Sequence, residues 1–147
     1  MSVTYIGADL RRRVVARAEE LCEYCLIAEA DTFYGCEADH IISEKHGGRT
    51  DDENLAYACV GCNQAKGSDI GSIDLRTEAF VRFYNPRTDR WVDHFELVGS
   101  HIEGITPIGF VTVRILGFNR VETVLERQTL QCVGCYPSAA AMKCMQR

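Results

Sequence analysis

Hydrophobic and polar positions follow different rhythms along this chain, and each rhythm predicts an element. Over residues 9–21, Leu10, Val14, Ala18 and Leu21 recur at helical spacing behind Asp9, a candidate cap, which predicts an amphipathic helix. Arg11, Arg12 and Arg13 fall in its first turns, where their charge opposes the helix dipole, so something other than helix stability favours them. Residues 36–43, CEADHIIS, predict a short strand, and Leu55 to Cys59 predicts its hairpin partner across the polar, glycine-bearing loop 44–54. From Cys62 the pattern suits a short helix that stops at Gly67. Residues 79–97 combine aromatic-rich alternation with the turn Asn85-Pro86-Arg87-Thr88-Asp89, which predicts a second hairpin. Residues 106–116 and 119–129 read as two helical stretches separated by Gly117. The last 16 residues hold an alanine run and three further cysteines. With no repeat and no obvious linker, the chain divides into a core over 1–74, an extension over 75–130 and a cysteine-containing tail over 131–147 that is open to disorder.

Composition narrows the function classes. The 147 residues suit one domain of ordinary size, and 46% hydrophobic content is that of a globular protein. A formal charge of -5 removes the global basic signature of a nucleic-acid binder, so any such role must rest on local features. The N-terminal MSVTYIGADLRRR lacks the apolar core of a signal peptide, and no apolar run is long enough to span a membrane. The expected location is therefore the cytoplasm, where eight cysteines argue for metal binding before disulfides.

Four of those cysteines carry a strong pattern. Cys22-x-x-Cys25 and Cys59-x-x-Cys62 are two knuckles, and paired knuckles complete a tetrahedral thiolate site for zinc. A four-thiolate site has no open position, so this zinc is expected to be structural and its binding energy part of the folding energy. The alternative is four plain buried cysteines. Cys132, Cys135 and Cys144 offer three thiols with no histidine close in sequence, too few for a second site of the same kind. Between the knuckles lie Asp39-His40 on the first strand and Asn54 at the start of the second, and Asn63 directly follows the last zinc cysteine. Cutting a phosphodiester needs a base to activate water and a cation to neutralise developing charge. A histidine suits the first task, and a carboxylate with an amide oxygen suits Mg²⁺ or Mn²⁺ for the second. A hairpin followed by a helix could bring Asp39, His40 and Asn63 to one place.

The run of C-x2-C, ADHIIS, GGRTDDENL and CVGCNQAK over residues 22–66 resembles the HNH endonucleases. The resemblance implies an α+β fold: a ββα-metal (His-Me finger) nuclease core stapled by a four-cysteine zinc site, with an added β-hairpin and C-terminal helices. It implies that His40 is the general base, that Asp39 and Asn63 hold a catalytic Mg²⁺ or Mn²⁺, and that Asn54 orients the loop and through it the imidazole. The third motif position, often histidine in the family, is Asn63 here, which favours Mg²⁺ or Mn²⁺ over softer ions. FYNPRTDRWVDHF and GITPIGFVTVRIL, within 76–117, are similar to an extension in some bacterial HNH proteins. The implied activity is metal-dependent hydrolysis of DNA, with the duplex as the preferred form. The rival is a zinc-stapled module that binds nucleic acid or protein without cutting. Lys66, Arg82, Arg87 and Arg90, with Arg11, Arg12 and Arg13, are candidates for contact with the nucleic-acid backbone, each weighed against an ordinary solvated charge.

Overall fold

The computed structural model describes residues 4–147. The first helix, α1 (Ala8–Arg17), is shorter than its apolar pattern predicts. Glu19 and Glu20 both adopt left-handed backbone angles, which end the helix and turn the chain back so that Leu21 pairs with Ala28. Asp9 sits inside the first turn rather than at the cap, which is Gly7. The arginines expected to need another reason find carboxylates: Arg12 pairs with Asp9, and Arg13 lies 3.3 Å from Asp52. Arg17 donates to the carbonyls of Asp52 and Leu55, both at 2.8 Å, fixing α1 to the start of the second strand.

Strand β1 (Cys36–His40) pairs antiparallel with β2 (Leu55–Cys59), placing Asp39 opposite Ala56 and His40 opposite Leu55. Helix α2 (Val60–Lys66) follows β2 without a break and packs on both strands. This is the expected ββα unit, inside a mixed helix and strand chain. The four zinc-knuckle cysteines gather at one end of it.

The extension departs from its prediction. Residues 79–97 do not form a hairpin with each other. Instead β4 (Phe80–Arg82) turns back to pair with β3 (Gly71–Ile73). The turn chemistry itself is present: the Arg87 amide donates to Asn85 Oδ1, and Asp89 accepts from Arg82 and from the Asn85 amide. Beyond it the chain forms a single helical turn, α3 (Trp91–His94), because Trp91 is drawn into the core and is only 4% exposed. The second hairpin lies further on, between β5 (Phe95–Val98) and β6 (His101–Gly104). Helices α4 (Pro107–Leu116) and α5 (Val121–Cys132) match the expected pair, with Gly117 left-handed between them. Gly109 is required where α4 crosses β6, since a Cβ there would meet the His94 carbonyl oxygen at 2.1 Å. The expected loose tail contains α6 (Ala139–Gln146), capped by Ser138, whose hydroxyl accepts from the Ala141 amide.

One buried apolar cluster runs through all three expected segments, from Val14 to Ala141. Its centre is aromatic. Phe95 stands 5.2 Å from Tyr84, 5.2 Å from Trp91 and 5.6 Å from Phe118, and Tyr84 meets Tyr24 edge-on. Helix α4 is the hub that joins the halves, touching β3, β4, β6 and α2.

Candidate active site and zinc centre

The zinc centre is built from two tight turns. In the first, the Leu26 amide donates to the Cys22 carbonyl at 2.9 Å, and Leu26 takes the left-handed angle that closes the knuckle. The second turn is the junction of β2 and α2. All four sulfurs lie within 4.8 Å of one another, and Cys25 Sγ is 3.8 Å from Cys59 Sγ. A tetrahedron of thiolates about 2.3 Å from zinc has edges of about 3.8 Å, so the donor set fits this ion. Hydrogen bonds from Cys22, Cys25 and Cys62 hold the Cys59 thiol far below its usual range, while contact with Cys22 first of all pushes Cys25 and Cys62 up. Cys132, Cys135 and Cys144 form no comparable cluster among the described residues.

The extension and the tail together grip the first knuckle at three successive residues. Arg87 pairs with the Glu23 carboxylate. Trp91 Nε1 donates to the Tyr24 carbonyl at 2.8 Å. Tyr136 Oη donates to the Cys25 carbonyl at 2.9 Å. Burial pushes the Glu23 carboxyl up to about 7, against the pull of the Tyr57 amide that donates to it. None of these braces was visible in the spacing of residues.

Asp39, His40 and Asn54 occupy the other end of the hairpin, and Asn63 lies on α2 beside it. His40 ends β1, with its side chain only 4% exposed. Its Nε2 lies 2.8 Å from Thr50 Oγ1 and 3.5 Å from Glu44 Oε1. Asp39 precedes it, and its carboxylate accepts from Lys66 Nζ at 3.0 Å. The same ammonium donates to the His40 carbonyl at 2.8 Å. Burial pushes the Asp39 carboxyl up, against the pull of Lys66. Asn63 is half-buried on α2, one turn before Lys66. Among the described residues no hydrogen bond joins its side chain to Asp39 or His40.

Asn54 holds the loop that covers the histidine. Its Oδ1 accepts from the Ile42 amide at 2.9 Å, and its Nδ2 donates to the carbonyls of Ile42 at 2.9 Å and Arg49 at 2.8 Å. Gly48 lies under this clamp, where a Cβ would stand 1.7 Å from the Ile42 carbonyl oxygen. Asn54 therefore does not touch the imidazole. It fixes Arg49, the neighbour of the residue that does.

Two expected nucleic-acid contacts are corrected by burial. Lys66 is 1% exposed, and its charge is spent on Asp39 inside the fold. Cys62 must face inward toward zinc, and Lys66 lies one helical turn later on the same face, so the sequence did contain this signal. Arg87 has a side chain 7% exposed and faces Glu23. Arg82 is half-exposed but bound through both terminal nitrogens to Asp89. Arg90 remains well exposed, with Asp93 3.9 Å away. Other exposed cations flank the site: Arg49 on the clamped loop and Arg12 and Arg13 on α1, which packs against the Asp52–Asn54 turn. Thr50 and Glu44 were missed, and nothing in their types or spacing singles them out.

Residues 22–69 match the HNH endonuclease family model. No curated protein and no solved structure matches the chain. The HNH segment takes in both knuckles and every residue of the candidate site, and leaves the extension unmatched. It is a nuclease-type segment, and its cysteine tetrad is the zinc-compatible cluster just described. Among the described residues no helix is long and apolar enough to cross a membrane.

Proposed function

We infer that the HNH segment hydrolyses phosphodiester bonds in DNA, with His40 as general base and Asp39 and Asn63 as ligands of a divalent cation. The observation that carries this reading is the placement of an Asp-His pair at the end of β1, beside a helix that presents Asn63, within the matched segment. Carboxylate and amide oxygens are hard donors, which suits Mg²⁺ or Mn²⁺. Such an ion supplies neutralisation of the charge that develops on the phosphoryl oxygens and the departing oxygen. Lys66 holds the Asp39 carboxylate through one of its oxygens, Oδ2, and so fixes its position. His40 takes a proton from water at its unprotonated ring nitrogen. The water oxygen bonds to phosphorus, the bond to the 3′ oxygen breaks, and that oxygen takes a proton from solvent. The products are a 5′ phosphate and a 3′ hydroxyl. Arg12, Arg13 and Arg49 are exposed cations around the site that would reach phosphates by exchanging their carboxylate partners Asp9, Asp52 and Asp51, although the whole chain is acidic.

A second reading has an observation of its own. His40 is almost enclosed and hydrogen-bonded, and Asp39 is already paired with a buried lysine, as in a purely structural arrangement. That reading makes the segment a binding module without chemistry. A plasmid-nicking assay with Mg²⁺ or Mn²⁺ separates the two. Wild type should nick, and His40→Ala should lose at least about 100-fold in rate with zinc content unchanged. A fully active His40→Ala protein would remove the assignment of the base. Salt-sensitive DNA binding with no cutting by wild type would establish the binding module.

A further inference from the structure

The group facing His40 Nε2 is the hydroxyl of Thr50, and behind it stands Glu44. The three atoms form a triangle: His40 Nε2 to Thr50 Oγ1 is 2.8 Å, Thr50 Oγ1 to Glu44 Oε1 is 3.4 Å, and His40 Nε2 to Glu44 Oε1 is 3.5 Å. A hydroxyl has one proton to give, and an ionised carboxylate has none. With Glu44 ionised, the Thr50 proton goes to Glu44, and the Thr50 lone pair is the one that accepts from the imidazole. That arrangement places the ring proton of neutral His40 on Nε2 and leaves the lone pair on Nδ1.

Thr50 is held where it can do this. Arg49, on one side, has its carbonyl clamped by Asn54. Asp51, on the other, caps the next turn by accepting from the Glu53 amide at 3.1 Å. A threonine between two pinned neighbours has little freedom to move its hydroxyl, and its branched side chain is stiff. Asn54 thus acts on the imidazole through Arg49 and Thr50.

We propose that Thr50, backed by Glu44, is a positioning residue that fixes His40 as the Nε2–H tautomer and so makes Nδ1 the atom that takes the proton from water. The inference rests on the reading of His40 as the base. When Nδ1 takes the proton, the imidazolium carries a hydrogen on each nitrogen, and its charge faces the Glu44 carboxylate across Nε2. The logic is that of a base oriented by a third group, here with a hydroxyl interposed.

Two variants and one spectrum test this. Thr50→Val keeps the shape and removes the hydroxyl. It should lower kcat for plasmid nicking by about 10-fold to 100-fold with KM unchanged, and zinc content should stay at the wild-type level. Thr50→Ser returns the hydroxyl and should recover kcat to within a few-fold of wild type. In ¹⁵N NMR of the imidazole, wild-type His40 should carry its neutral-form proton on Nε2, and Thr50→Val should show a mixture of tautomers. A wild-type His40 protonated on Nδ1, or an active Thr50→Val enzyme with unchanged kcat, overturns the inference. If wild type cuts no DNA under any condition, the nuclease reading falls, and the tautomer spectrum alone decides the placement of the proton.

Discussion

The HNH segment and the extension behind it are held together by different means. The segment rests on short hydrogen bonds, a loop clamp and four sulfurs that converge on one point. The extension rests on the packing of Tyr84, Trp91, Phe95 and Phe118 and on the close approach of α4 to β6. A directional site fails outright when one donor is lost, whereas a packed cluster fails in proportion to the volume removed. The contact between the two is both packed, through α4 on α2 and Tyr84 on Tyr24, and directional, through Arg87 and Trp91, with Tyr136 of the tail, at the first knuckle.

The largest effect should come from Cys59→Ser. Zinc binding contributes about 10–16 kcal/mol in small zinc domains, as much as the whole stability of most proteins. This variant should lose bound zinc by metal analysis and show no cooperative melting. A zinc-free variant that melts like wild type would show that the extension folds the segment unaided. Next in size is Trp91→Ala, which removes a buried indole and its bond to the Tyr24 carbonyl. About 3–5 kcal/mol should be lost in denaturant titrations, yet one zinc per chain should stay bound. Loss of both together would erase the distinction between the two regions.

The smallest effect concerns the Arg82–Asp89 pair. Burial alone would raise the Asp89 carboxyl, but hydrogen bonds from Arg82 and the Asn85 amide outweigh it and hold the group below the usual carboxylate range. A depressed value means stability that is present above the unfolded-state value, about 4, and is lost as pH falls through the folded one. Asp89→Asn should therefore melt slightly lower than wild type at neutral pH and show a flatter decline in acid. Superimposable acid profiles would show that the pair contributes nothing.

The same division decides how much was legible beforehand. The knuckles, β1, β2 and α2 were readable because each carries a residue type whose chemistry permits few places: paired cysteines, a glycine at a helix end, a polar loop between apolar strands. The second hairpin was misread at Trp91. Alternation of aromatic and polar residues is the same signal whether the aromatics line a strand or enter a core from a helical turn, and tertiary packing chose the second. Lys66 was placed on the surface because lysine usually is, although its spacing from Cys62 pointed inward. Thr50 was hidden for a different reason. Its role depends on a loop path set by Gly48 and Asn54, and no local pattern encodes that path.

The hydrogen bond from Tyr136 to the Cys25 carbonyl spans 111 residues of chain. During synthesis the last zinc cysteine, Cys62, leaves the ribosome well before Tyr136 exists, and at about 5–20 residues per second the interval lasts several seconds. The four thiols are therefore on hand for a metal before this brace can be made. The four sulfurs that would hold the metal need nothing from Tyr136, and the tail, made last, adds its bond to the Cys25 carbonyl after the rest of the knuckle is in place.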